Sequence, residues 1–92
     1  MTLQEITENI RRFRDERDWA QFHNPKDMAM ALSIEAAELM EHFLWKNPNE
    51  VAARCVEKRE EIEDEVADVA IYLVELADIL GIDLLGAMER KM

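Results

Sequence analysis

Leu3, Ile6, Ile10 and Phe13 recur with polar residues between them, which is the three- and four-residue spacing of one face of a helix. Thr2 precedes that run and Glu5 follows it by three, a capping-box spacing, so a first helix is predicted from about residue 3 to about 18. The next stretch, RDWAQFHNPKD, breaks the period. Asn24 and Pro25 supply turn chemistry there, and Trp19, Phe22 and His23 crowd into five residues. A second helix is predicted to start near Pro25 or Asp27 and to run to about Lys46. Asn47 and Pro48 then suit the cap and first helical residue of a third.

The third helix is predicted to be the longest, from 48 to about 80, with first turns able to stand as a separate short segment. Ile62, Val66, Val69, Leu73, Leu76 and Leu80 fall along it at steps of 4, 3, 4, 3 and 4, a heptad seam for packing against another helix. Gly81 closes it. A short fourth helix, from about Asp83 to the terminus, carries Leu84, Leu85 and Met88. With two glycines, two prolines and no run of period-two alternation, the class is all-α, an antiparallel bundle of about four helices. No repeat, low-complexity tract or linker divides the chain, which implies one domain over 1–92.

The second helix has an unusual distribution of polarity. At 100° per residue, Met28, Ala31, Leu32 and Leu39 lie within about 60° of Glu35, and Glu38 lies about 60° to the other side. Between Met28 and Trp45 the acidic residues are Glu35, Glu38 and Glu41, with no Lys or Arg, and the opposite side carries Ala36, Ala37, Met40 and Leu44. A 92-residue chain cannot bury both sides of such a helix against the rest of itself. A homo-oligomer, a dimer at least, is therefore expected.

Composition narrows the function classes. Asp and Glu number 21 against 11 Lys and Arg, for a net charge of −10, which repels nucleic-acid backbone and anionic membrane. The lone Cys55 suggests a reducing compartment and is most simply an apolar filler. No signal peptide is evident, and the longest apolar run, VAIYLVELADIL, is broken by Glu75 and Asp78. A cytoplasmic protein is expected.

The acidic residues also carry the candidate chemistry. EAAE places Glu35 and Glu38 three apart, and EVAD does the same for Glu65 and Asp68. Leu76, Val69, Ile62 and Tyr72 lie within about 60° of Glu65, so this pair also borders an apolar seam. A single such pair is ordinary on a solvated face of an acidic helix. Two pairs beside apolar seams are harder to explain without a cation, since buried carboxylates are costly to keep charged. Residues three apart on a helix are about 5 to 6 Å apart at Cβ, close enough for both carboxylates to reach one ion, and antiparallel packing would bring all four together. Neither His23 nor His42 stands three residues after a Glu, which excludes the ExxH pattern of di-iron bundles. No Cys and His cluster supports zinc, and all-oxygen ligation suits Mg²⁺ or Mn²⁺.

Three stretches, ERDWAQFHNPKDMAMALSIEAAELMEHFLWK, EEIEDEVADVAIYLVELA and DLLGAMERKM, resemble the MazG family of all-α nucleoside triphosphate pyrophosphohydrolases, in its small branch that includes dCTP pyrophosphatases. The resemblance covers almost the whole chain. It rests on the RDWxQFHxP loop, the ExxE helix that continues to an LW dipeptide, and the ExxD helix continuing to Tyr72. It implies Mg²⁺-dependent hydrolysis between the α and β phosphates, with Glu35, Glu38, Glu65 and Asp68 as metal ligands and Trp19, Trp45 and Tyr72 around the base. In two places the chain departs from that branch: its first-helix pocket histidine is Ile10 here, and the chain stops at Lys91 and Met92, short of a longer tail with a base-contacting Asn.

The expected function is thus house-cleaning hydrolysis of deoxynucleoside triphosphates, dCTP and dATP among them, to monophosphate and pyrophosphate. Glu35 is the expected proton acceptor, with Glu38 beside it as the second catalytic carboxylate. Trp45, seven residues after Glu38, is expected within about 20° of it on the same helix. Tyr72 follows Asp68 by four. His23 could line the pocket or cap a helix, and Lys46, Lys58 and Arg59 could hold phosphate oxygens or merely solvate the surface. The alternative function is a non-enzymatic interaction module that uses the heptad seam itself.

Overall fold

A computed structural model describes residues 1–17 and 24–92. Five helices follow one another: α1 (Leu3–Glu16), α2 (Pro25–Glu41), α3 (Pro48–Glu57), α4 (Arg59–Ile79) and α5 (Leu84–Lys91). The class is all-α, and among the described residues there is no strand. None of these helices is long and apolar enough to cross a membrane.

Local chemistry starts most of them where the sequence says it should. Thr2 Oγ1 accepts from the Glu5 amide at 3.1 Å while the Thr2 amide donates to Glu5 Oε1 at 3.3 Å, a complete capping box. Asn24 accepts from the Asp27 amide at 2.9 Å with Pro25 at the first helical position, and Asn47 accepts from the Glu50 amide at 2.9 Å ahead of α3. At the end of α4, the Gly81 amide donates to Asp78 O at 3.1 Å and the Ile82 amide to Ala77 O at 2.8 Å. This Schellman pair requires Gly81 to take φ 68°, the left-handed region open to glycine.

One boundary differs from expectation. The second helix stops at Glu41 and not near Lys46, because residues 42–45 tighten into turns whose amides from His42 and Phe43 reach back only three residues. Trp45 then takes φ 63°, which turns the chain so that Asn47 can cap α3. The long third helix is divided at Lys58 (φ −114°, ψ 29°), so its first turns form α3, the separate short segment that the sequence allowed, and the helices number five.

The central contact is between α2 and α4. His42 meets Glu65 at one end, and Glu35 lies within the electrostatic reach of Asp68 and Tyr72 further along. Rising numbers on one helix meet falling numbers on the other, so the pair is antiparallel. α1 lies along the later part of α4, joined by Arg11. Its Nε donates to both oxygens of Asp78, at 3.1 and 2.9 Å, and its Nη2 donates to Oδ1 as well.

This arrangement leaves a small interior. Among the described residues the buried apolar side chains are Met28 and Ala77, and the buried polar ones are His42 and Glu75. The chain exposes 6991 Å², against about 5,500 Å² for a folded monomer of this size. The heptad seam is only half used: Ile62, Val69 and Leu76 are partly covered, whereas Val66, Leu73 and Leu80 are exposed. Met30, Ile34 and Met40 of α2 are likewise exposed.

The Arg11–Asp78 link gives a testable dependence on pH. The guanidinium hydrogen bonds and charge hold the Asp78 carboxyl below its ordinary 3.8. A depressed folded-state value contributes stability above the unfolded value and loses it as pH falls toward the folded one. Asp78→Asn is expected to lower the melting temperature by a few degrees at neutral pH. The gap from wild type should close as pH drops below 3.8.

Candidate functional site

The antiparallel pairing brings the two acidic motifs together. Glu35, in the middle of α2, is partly buried, and its Oε2 is shut off from solvent without a hydrogen-bond partner. Loss of hydration first, then the negative charges of Glu38 and Asp68, a side-chain hydrogen bond with Glu38 and the charge of Glu65 push this carboxyl above its ordinary 4.5. Glu38 and Asp68 are exposed and Glu65 is partly buried. Among the described residues, no group of three His, Cys, Asp or Glu is gathered closely enough to hold an ion as it stands.

The donor set nevertheless fits a hard cation. It offers oxygen alone from two adjacent helices, and Glu35 Oε2 is a buried acceptor for which the protein supplies no donor. Buried polar atoms left in this state call for an explanation, and a cation between the two pairs supplies one.

Beside the acidic cluster lies a cavity of about 560 Å³, walled by Ile6, Ile10 and Phe13 of α1 and by Ile71 and Tyr72 of α4, with Asp68 on its lining. Its size and apolar walls suit a small flat ligand. Tyr72 feels the same field as Glu35: burial, then Glu35, Glu75, Asp68 and Glu38, raise its phenol above 10.0, so the hydroxyl keeps its proton. Ile10, expected where relatives carry a pocket histidine, lines this cavity.

Other expected site residues are distributed differently. Trp45 is not on the Glu38 face of a helix, because α2 has already ended. It stands 92% exposed in the connection to α3. Lys46 follows it, partly buried. Lys58 sits at the α3–α4 break with Nζ 3.8 Å from Glu61, and Arg59 pairs with Glu63 at 2.8 Å, so both have acidic neighbours on their own helix surface. Trp19 and His23 lie outside the described residues.

One feature of the site was not anticipated. His42 is 5% exposed, its Nε2 lies 2.7 Å from Glu65 Oε2, and its Nδ1 accepts from Arg54 Nε at 3.2 Å. The Nε2 contact is close without the alignment of a full hydrogen bond. A signal existed: His42 follows Glu35 by seven residues, two helical turns, and so falls on its face. A search for the ExxH spacing alone passes over it.

Residues 30–92 match the MazG-like family. The dCTP pyrophosphatase 1 of Homo sapiens is 41% identical to this chain over 93 residues, covering 99% of the chain and 55% of that protein. The dCTP pyrophosphatase 1 of Rattus norvegicus is 40% identical over the same spans, so the chain spans about half the length of the curated relatives it matches. Among solved structures, a pyrophosphatase from Archaeoglobus fulgidus superposes with a TM-score of 0.92 at 41% identity, covering 97% of this chain and 83% of that one. Fold, acidic motifs and this likeness agree: the chain belongs to the MazG-like family.

Proposed function

We propose that this chain is a nucleoside triphosphate pyrophosphohydrolase that cleaves deoxynucleoside triphosphates, dCTP and dATP among them, between the α and β phosphates as part of nucleotide-pool house-cleaning. The observation that carries the reading is the solvent-excluded, unpartnered Oε2 of Glu35, set among Glu38, Glu65 and Asp68, with Asp68 also lining the Tyr72 cavity. The names of the relatives support dCTP as a substrate.

Mg²⁺, with Mn²⁺ as a substitute, would be held by Glu35, Glu38, Glu65 and Asp68 and would supply charge neutralisation of the triphosphate and a lowered pKa for the attacking water. Water oxygen bonds to the α-phosphorus, the bond from that phosphorus to the bridging oxygen breaks, and pyrophosphate leaves with the electron pair. Glu35, whose sector is the most apolar of the four, takes the water's proton, and Glu38 adjoins it. The base enters the apolar cavity against Tyr72. Aromatic stacking contributes about 1 to 3 kcal/mol per base with little regard for its identity, and Ile10 offers no polar contact to narrow the choice, which is why dATP is included.

Assembly belongs to the same reading. The uncovered stripes on α2 and α4 support a homo-oligomer, a dimer at least and by resemblance a tetramer. Trp45, fully presented to solvent in one chain, suits a wall of a neighbour's pocket, with Trp19, His23, Lys46 and Lys58 as the remaining substrate contacts. The same stripes would also serve a non-enzymatic interaction module. Catalysis separates the two.

Pyrophosphate release from a nucleotide panel is expected with dCTP and dATP in the presence of Mg²⁺. Glu38→Gln and Asp68→Asn should reduce turnover by a factor on the order of 100 or more. A folded protein inert toward every nucleotide would favour the interaction module.

The Glu35 carboxyl predicts how the metal-free protein responds to pH. A raised folded-state value means that the folded chain binds the proton more tightly than the unfolded chain. Stability is then greatest below 4.5 and declines as pH rises through the raised value. Glu35→Gln should be at least as stable as wild type at neutral pH and indistinguishable from it below pH 4.5 in thermal melts. Added Mg²⁺ should stabilise wild type more than the variant.

Sedimentation is expected to show a dimer or larger species at micromolar concentration. Trp45→Ala should raise KM by a factor on the order of ten with Mn²⁺ affinity little changed. An active monomer, or an unaltered KM, would place the pocket wall elsewhere.

A further inference from the structure

We infer that His42 is a positioning residue: buried at the end of α2 and held by Arg54, it sets its Nε2 against Glu65 Oε2 at 2.7 Å and so turns the Glu65 carboxylate toward the acidic cluster. The inference rests on the reading of Glu65 as a metal ligand and goes beyond it, since it concerns a side chain that would touch neither metal nor nucleotide.

Three observations carry it. A guanidinium has donors only, so the contact from Arg54 Nε to His42 Nδ1 at 3.2 Å requires Nδ1 to be the bare nitrogen. The ring proton therefore sits on Nε2, which faces Glu65 Oε2 at 2.7 Å. A neutral donor orients a carboxylate without cancelling its charge, so Glu65 stays fully available to a cation through its other oxygen.

The second observation is burial. His42 is 5% exposed, so its ring has little freedom and the Glu65 rotamer it contacts is held in turn. The third is the course of the chain. α2 ends at Glu41 and α3 breaks from α4 at Lys58, and these two departures from a simple hairpin are what bring Arg54 back across His42. Neither Arg54 nor His42 has a place in the catalytic steps above, and the contact between them spans 12 residues.

The test uses the full chain without nucleotide, with Mn²⁺ affinity read by calorimetry and by loss of the free-ion spin-resonance signal. His42→Leu should weaken Mn²⁺ binding by about 10- to 100-fold, whereas His42→Gln, whose amide can both donate to Glu65 and accept from Arg54, should bind close to wild type. At saturating nucleotide, excess Mn²⁺ should restore most of the turnover lost in His42→Leu, which a general loss of structure would not allow. Imidazole ¹⁵N shifts of wild type should report the proton on Nε2.

Should His42→Leu fail to fold, Arg54→Met asks the same question from the surface side, and it should weaken Mn²⁺ binding while the thermal melt persists. Wild-type affinity in His42→Leu or in folded Arg54→Met, equal weakness in His42→Gln and His42→Leu, or a proton found on Nδ1 would overturn the inference. Glu65→Gln distinguishes the layer beneath. If it binds Mn²⁺ as well as wild type, the ligand role of Glu65 fails and that of His42 falls with it; if it binds weakly while folded His42→Leu binds normally, the ligand role stands and the positioning role alone is lost.

Discussion

Four carboxylates held on two antiparallel helices repel one another, and at Glu35 and Glu65 burial of a carboxylate oxygen withholds the water that would screen that repulsion. Glu35 bears most of this conflict: it sits in mid-helix, loses hydration at Oε2 and faces the charges of Glu38, Asp68 and Glu65. A cluster of this kind is unfavourable to the bare fold, and its persistence depends on the α2–α4 contact being strong enough to hold it. The same contact raises the Tyr72 phenol, while the packing of α1 on α4 puts Asp68 on the lining of the neighbouring cavity. Two helix pairings that share α4 therefore set the site.

The α2–α4 pairing is supported by little interior of its own. Met28 and Ala77 are the buried apolar side chains among the described residues, and the more numerous exposed ones form stripes on both helices, Met30 and Ile34 on α2 and Val66, Leu73 and Leu80 on α4. Apolar area left in water contributes nothing to stability, at roughly 25 cal/mol per Å² foregone. A second copy covering these stripes, as the proposed assembly has it, would add burial to so small a core.

The irregular backbone lies where the chain changes direction between α2, α3 and α4. A continuous helix through Lys46 would keep Trp45 near the Glu38 face, and a continuous helix from 48 to 80 would carry Arg54 away from α2. The turns at 42–45, the positive φ of Trp45 and the break at Lys58 instead set Trp45 outward and return Arg54 to His42. The buried charge–imidazole contact beside the acidic cluster is a product of those two interruptions.

Much of this was legible in the residues. The all-α class followed from helical spacing and scarce Gly and Pro; Thr2, Asn24, Asn47 and Gly81 marked boundaries because caps are local chemistry, settled within four residues. The acidic pairs could be singled out because i, i+3 spacing on an apolar face is a property of one helix. Antiparallel packing was a condition in that reading, and only the tertiary structure met it. The stop of α2 at Glu41 and the break at Lys58 have no Gly or Pro beside them to announce where they fall. The half-used heptad seam was undecidable from spacing, since a repeat of 4 and 3 fixes which residues share a stripe and not which part of the stripe finds a partner in the same chain. His42 shows the division most clearly: its helical position could be counted from Glu35, but its partners on α3 and α4 came only with the fold.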